Sequence, residues 1–258
     1  FENFNQANPQ PIQLIGLKHI NLKEESAKIR RRLEKLEQQD ATETISKADK
    51  IALDDADFAH LHNHSQFSVL QSTMSIKQLV AAAAEQNMPA VALTDQANMM
   101  GAFHFVREVS GYNKSIEAKL REAETNGEQI NLKKIKPIVG CTFFVCENHQ
   151  DKTRKDNGYQ IVFLAKNKEG YHNLAKLSSL AYTDGFYYVP RIDRELVKKY
   201  KDNLIVLTGN LYGEVPSKVL NVGENQAEEA LLWWKEQFGD DLYIELMRHN
   251  QEDENRVN

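Results

Sequence analysis

The chain has 258 residues, a formal net charge of −5, 41% hydrophobic and 27% charged residues. Such a length buries one large core or two small ones. No apolar run is long enough to span a bilayer, no secretory signal pattern opens the chain, and the mild negative charge argues against a nucleic-acid surface spread over the whole chain. Residues 1–57 read as a unit apart: an extended tether "NPQPIQLIGLKHINL", a helix begun by Asn21 with Glu24 at capping-box spacing and an apolar stripe of Ile29, Leu33 and Leu36, then a polar, acidic linker. The basic cluster Lys28, Arg30, Arg31, Arg32 and Lys35 reads as a solvated helix face, because glutamates are interleaved at pairing distance.

From Phe58 to Asn258 strand and helix patterns alternate. "FAHLHNHS" predicts a strand, "SIKQLVAAAAEQN" a helix capped by Ser75, "PAVALTD" a buried strand and "MMGAFHFVREVSGYN" a helix. "IKPIVGCTFFVC" and "YQIVFLAK" predict strands, and "EGYHNLAKLSSLAYTDG" a helix ending at Gly185. "DNLIVLTGN" predicts a strand, "NQAEEALLWWKEQFGD" a helix ended by Gly239, and "DLYIELM" a last strand. Ser115–Lys134 and Glu147–Gly158 read as surface excursions. Continuous apolar runs suggest strands covered on both faces, and the alternation with helices predicts a parallel sheet or barrel. Cys141 and Cys146 lie an odd number of positions apart on one strand, so they face opposite ways and read as two buried free thiols. One of the adjacent Trp233 and Trp234 is expected inward and the other at the surface. The loop Phe186–Arg191, "FYYVPR", is aromatic and basic; it reads as packing against a neighbouring domain, with DNA contact as the alternative.

His60, His62 and His64 stand at every second position, so a strand turns all three to one face. Three imidazoles are too polar for an ordinary core face, and paired imidazoles hold divalent metals. A hydrogen-bonded cluster without metal is the other reading of this stretch. The C-terminal ends of the remaining strands offer Asp95 and Gln96, Cys141 and Thr142, Thr208 to Asn210, then Glu245 and His249. A hydrolytic metal cluster needs several ionisable ligands on one cavity, and this inventory is instead rich in amides and hydroxyls.

The stretches "FAHLHNHSQFSVL", "ALTDQANMMGAFHF", "IKPIVGCTFFV", "FLAKNKEGYHNLAKLSSLAYTDGFYYVPRIDRE", "LIVLTGNLYGEVP" and "YIELMRHNQEDE" occur in the order found in the PHP (polymerase and histidinol phosphatase) domain. The version resembled is that of the bacterial DNA polymerase III alpha subunit. The resemblance implies an α/β fold, a distorted, TIM-like, seven-stranded (β/α) barrel, here lacking the last strand. It also implies a longer parent chain carrying the polymerase core. Active members are similar in holding up to three metal ions for phosphoester hydrolysis. Carried over by position, the HxH pair falls on His62 and His64. The further ligand positions fall on Gln71, Gln96, Thr142, Gln160 and Asn210, all neutral, and two more would lie past Asn258. His60, Asp95 and His249 would stand beside the site. The resemblance therefore implies a remnant: no catalytic residue, and no cofactor beyond at most one weakly bound divalent metal (Zn, Mn or Mg). It implies a cytoplasmic, membrane-free docking module for the polymerase core of the same chain and a proofreading exonuclease in cis or trans, meeting DNA through the parent polymerase. The first residue, Phe1, suggests a fragment cut from behind an upstream exonuclease. The alternative is a residual metal-dependent phosphoesterase or 3'-5' exonuclease. A stand-alone metabolic phosphatase is disfavoured by the "PRID" stretch.

Overall fold

The computed structural model describes residues 58–249 and 251–258. The tether, helix and linker expected over residues 1–57 lie outside the described residues. Helix α1, Ile76–Glu85, begins where the sequence places it. The Gln78 amide donates to Ser75 Oγ at 3.3 Å and the Ser75 amide donates to Gln78 Oε1 at 2.9 Å, so two orphan donors of the first turn are satisfied. Ile76, Leu79, Val80 and Ala83 are buried at helical spacing. Strand β1, Ala90–Leu93, follows, and then α2, Ala102–Asn126.

Helix α2 corrects one expectation. The charged stretch after Ser115 continues the helix rather than leaving it, for 25 residues in all. Its stripe is thin, with Val109, Ile116 and Ala123 buried at every seventh position, but its remaining residues are good helix formers. Gly127, at φ 71°, ends it in a left-handed turn. Only the second half of the expected excursion is a loop. The Asn113 side chain fixes its return, donating to the Ile135 carbonyl at 2.8 Å and accepting from the Ile135 amide at 2.9 Å.

Strand β2, Lys136–Cys146, is the spine of the sheet. Its first half pairs in parallel with β1, and its far half in parallel with β4, Arg191–Asp193. Strand β3, Tyr159–Ala165, pairs with β2 antiparallel, Cys141 opposite Phe163. Strand β5, Leu204–Leu207, is antiparallel to β3, and β6, Leu242–Tyr243, is parallel to β5. The order is β1-β2-β3-β5-β6 with β4 on β2, a mixed six-stranded sheet that does not close among the described residues. The expected parallel arrangement is thus only partly present. Glu147–Gly158 joins β2 to β3 without a crossover helix, and such a direct connection makes neighbours antiparallel.

The predicted first strand is extended but forms no regular ladder. Ala92 donates to the His60 carbonyl at 3.0 Å and Thr94 to that of Asn63 at 2.8 Å. Between them the Asn63 amide turns to Thr94 Oγ1 and its side chain to the His60 and Ala92 carbonyls, so side-chain bonds replace the backbone ladder. The expected last strand shrinks to two residues, because the Glu245 amide donates to Thr208 Oγ1 rather than to backbone.

Helix α3, Lys168–Thr183, carries an Asn167 cap on the Gly170 amide at 3.0 Å. Helices α4 (Arg194–Tyr200), α5 (Glu214–Asn221), α6 (Glu224–Phe238) and α7 (Glu252–Val257) complete the chain. One core forms where β2 and β3 (Cys141, Phe143, Ile161, Phe163) meet Leu174 and Leu177 of α3 and Trp234 and Phe238 of α6. A second joins α1, β1 and α2 around Leu79, Leu93 and Phe105. Each such large side chain contributes about 2–3 kcal/mol by leaving water. The tryptophans divide less sharply than expected, since Trp233 is half-buried and packs against the same core rather than lying at the surface. Trp234 is buried and donates to Glu214 Oε2 at 2.9 Å, while the Arg194 guanidinium lies over Trp233 at 4.3 Å.

Candidate functional site

The segment 58–64 brings two of its three histidines to one place. His62 Nε2 lies 3.3 Å and His64 Nε2 3.4 Å from the hydroxyl of Thr142, in mid-β2. That hydroxyl donates to the Thr94 carbonyl at 3.0 Å, which leaves its lone pairs to the two imidazoles. The rings meet edge to face with centroids 5.2 Å apart. On the far side of His62, Nδ1 lies 2.7 Å from Glu245 Oε1, and both side chains are nearly buried. The other carboxylate oxygen of Glu245 is buried without a hydrogen-bond partner among the described residues. Burial, and then the neighbouring His62, hold the His64 imidazole below its usual value, against an opposing pull from Asp95 and Glu245.

Asp95 is buried and serves the loop beside the cluster. Its carboxylate accepts from the Ser65 amide, Ser65 Oγ and Ser68 Oγ, each at 2.7 Å. Those bonds tie down the turn between His64 and Ser72. Beyond β1 the pairing continues irregularly, with the Thr142 amide donating to the Asp95 carbonyl at 3.1 Å and the Ala97 amide to that of Thr142 at 2.7 Å.

The remaining expected positions are elsewhere or do other work. His60 is exposed and packs edge-on against Phe58. Gln71 is exposed in the turn after Leu70, a residue at φ 65°. Gln96 and Gln160 are half-buried, and no hydrogen bond joins their side chains to the cluster among the described residues. The Asn210 side chain accepts from the Tyr212 amide at 2.9 Å and so builds its own turn. His249 is largely exposed and pairs with Glu254 Oε1 at 2.7 Å. Arg191, expected in an aromatic-basic surface loop, is fully buried and cannot reach DNA. Glu245, present in the sequence only as a strand-end carboxylate, proves to be part of the cluster. Ser65, Ser68 and Thr94 carry no sequence signal, because their role depends on where Asp95 and Thr142 fall in space.

His62 Nε2 and His64 Nε2 face a neutral hydroxyl, the Glu245 carboxylate engages the opposite nitrogen of His62, and the Asp95 carboxylate is taken up by Ser65 and Ser68. No group of three or more His, Cys, Asp or Glu is placed to hold a metal among the described residues. Burial, reinforced by Asp95, pushes the Cys141 thiol well above the ordinary range. Cys146 is pushed up to about 11, again mainly by burial, and both cysteines are free. Beside the cluster runs a groove of about 1410 Å³, with Phe58, His60 and His62 on one wall and Tyr243, Glu245 and His249 on the other.

Comparison with known proteins gives a consistent result. A family model described as the PHP domain matches residues 60–249. The chain is 39% identical over 198 residues to the DNA polymerase III subunit alpha of Chlamydia muridarum, covering 75% of this chain and 14% of that one. It is 38% identical over 204 residues to the same subunit of Aquifex aeolicus, covering 75% and 16%, and 35% identical over 205 residues to that of Borreliella burgdorferi, covering 78% and 16%. The chain therefore spans only about a seventh of the length of such relatives. No helix among the described residues is long and apolar enough to cross a membrane.

Proposed function

The chain belongs to the PHP domain family, and from that premise we propose that it is the PHP domain of a replicative polymerase III alpha subunit, with a metal site that has lost its chemistry. The observation that carries this reading is Thr142. Its hydroxyl lies between two imidazole nitrogens where the resemblance calls for a glutamate. Phosphoester hydrolysis on metals needs anionic ligands to hold the ions and their charge to stabilise the developing oxyanion. A threonine, an asparagine and three glutamines supply neither.

On this reading the domain works as a cytoplasmic scaffold. It docks the polymerase core of its own chain and a proofreading exonuclease, and DNA meets it through the parent polymerase. The finer fold assignment, a distorted seven-stranded barrel without its last strand, belongs to the same proposal. The groove between segment 58–64 and the residues after β6 supports it as the place a further strand would fill.

The test is metal content. The chain, purified without a histidine tag, is expected to carry near-zero Zn, Mn and Fe by plasma mass spectrometry, and to leave single-stranded DNA and phosphomonoesters intact. Stoichiometric metal that disappears in the His62→Ala and His64→Ala double variant would overturn the reading. One observation favours the rival, a residual phosphoesterase: Glu245 Oε2, buried and unpartnered beside His62, is a spare donor. The same measurement decides between the two.

A further inference from the structure

Two edges of the sheet face one another across the groove. One is segment 58–64, held beside β1 through the His60 and Asn63 carbonyls. The other is β6 and the residues after it, held to β5 by the Thr208 amide on the Tyr243 carbonyl at 3.1 Å and by the Glu245 amide on Thr208 Oγ1 at 3.0 Å. No backbone hydrogen bond joins these edges among the described residues. Side chains do. His62 and Glu245 meet at 2.7 Å, 183 residues apart in sequence, with 9% and 11% of their side chains exposed. The connection continues inward, from His62 Nε2 to Thr142 Oγ1 and from that hydroxyl to the Thr94 carbonyl. His64 reaches the same hydroxyl from the first edge.

We infer that the residues left at the former metal site now serve as a clasp, Glu245–His62–Thr142, which holds the two unpaired edges of the sheet together across its interior. Three features carry the inference. The link spans the two ends of the sheet path. Its outer bond is short and shielded from water, where a hydrogen bond to a carboxylate is strongest. Its inner member, Thr142, is fully buried on β2, so the clasp is anchored to the strand that pairs with three others. A hydroxyl suits this place, since it donates to the Thr94 carbonyl and lies within reach of both rings, whereas an anionic side chain has no proton to give to the carbonyl. The clasp rests on the reading that no metal occupies the cluster, because a cation bound to the same nitrogens would replace the hydroxyl as their partner.

The test is amide hydrogen exchange on the full 258-residue chain, in His62→Gln, Glu245→Gln and the double variant. Glutamine keeps polarity and approximate size at both positions. The β2–β3 amides serve as an internal reference. Each single variant is expected to speed exchange at Glu245 and Thr208, whose amides are hydrogen-bonded across this edge, about tenfold, the loss of one hydrogen bond to a charged group, with the reference unchanged. The double variant is expected to be no faster than either single one. Thr142→Val is expected to loosen the same amides, and Thr142→Ser to leave them as in the parent. Unchanged edge exchange, multiplying effects in the double variant, or equal loosening of the reference amides would each overturn the clasp. Metal analysis of the same samples separates the two proposals. Bound metal in the parent, absent from the variants, overturns the decayed-site reading, whereas a metal-free parent with an indifferent edge overturns the clasp alone.

Discussion

Replacing Arg191 with methionine should cost more than any surface change in the molecule. The side chain is fully buried and has no carboxylate partner among the described residues. Its guanidinium instead donates to four carbonyls: Nε to Gly185 at 3.0 Å, Nη1 to Asp156 at 3.0 Å, and Nη2 to His149 at 3.1 Å and Asp151 at 2.8 Å. Three of these lie in Glu147–Gly158, so a charge inside the protein staples a loop that is otherwise polar and turn-rich. Hydrogen bonds from a charged donor contribute about 1.5–3 kcal/mol each, which gives about 6–12 kcal/mol gross for four. Desolvating the guanidinium takes back several kcal/mol, and truncations of buried charged networks fall at about 3–5 kcal/mol. Arg191→Met is therefore expected to lose about 4 kcal/mol in urea unfolding, and Arg191→Lys, which keeps the charge but not the fork, about half of that. Trypsin supplies a local readout, since Lys152, Arg154 and Lys155 lie exposed in the stapled loop. Cleavage there should accelerate in Arg191→Met before the rest of the chain opens. A loss under about 1 kcal/mol with unchanged cleavage would refute the staple.

Two further outcomes follow from the same neighbourhood and from the core. Burial pushes the Asp193 carboxyl up, but hydrogen bonds from the His149 side chain and from the Leu196 and His149 amides outweigh it and leave the group below its usual value. The unfolded chain thus binds the proton first, so the contribution of Asp193 is complete above the ordinary aspartate value and is lost as pH falls through its lower folded value. The stability gap between the parent and Asp193→Asn, read by urea unfolding, should shrink below about pH 4, and a gap independent of pH would contradict this. Neither cysteine should react quickly with a chromogenic disulfide reagent at pH 8 in the native state, and both should react in denaturant. Rapid native labelling would show that Cys141 or Cys146 is less enclosed than described.

Legibility in the sequence depended on how local the cause was. Ser75 and Gln78 cap a helix by themselves, and the alanine-rich run behind them has one buried face, so α1 is readable within a few residues. The helical pitch makes Trp234 the fully buried tryptophan and leaves Trp233 half-buried at the core's margin. Helix α2 is readable only to Asn113, because beyond it the buried face thins to one residue in seven. Strand β4 and helix α4 are too short to show a period: β4 is held by Arg191 partners more than thirty residues away in sequence, while α4 starts locally, Asp193 accepting from the Leu196 amide at 3.0 Å. The site divides in the same way. The HxH spacing marks His62 and His64, which the structure does bring together. That Thr142 would face both rings, and that Glu245 would reach His62 from the other end of the sheet, depends on strand register, which no spacing encodes.

The separation of His62 from Glu245 also has a consequence in time. Ribosomes add about 5–20 residues per second, so the partner of His62, 183 residues downstream, emerges roughly ten to forty seconds after it. During that interval β1, β2 and β3 can pair, since their partners lie closer in sequence, while the wall of the groove formed by segment 58–64 has nothing opposite it. A nascent chain therefore carries that wall uncovered for this interval, a window in which holding factors can bind it, and the His62–Glu245 bond closes only after β1, β2 and β3 have had time to pair.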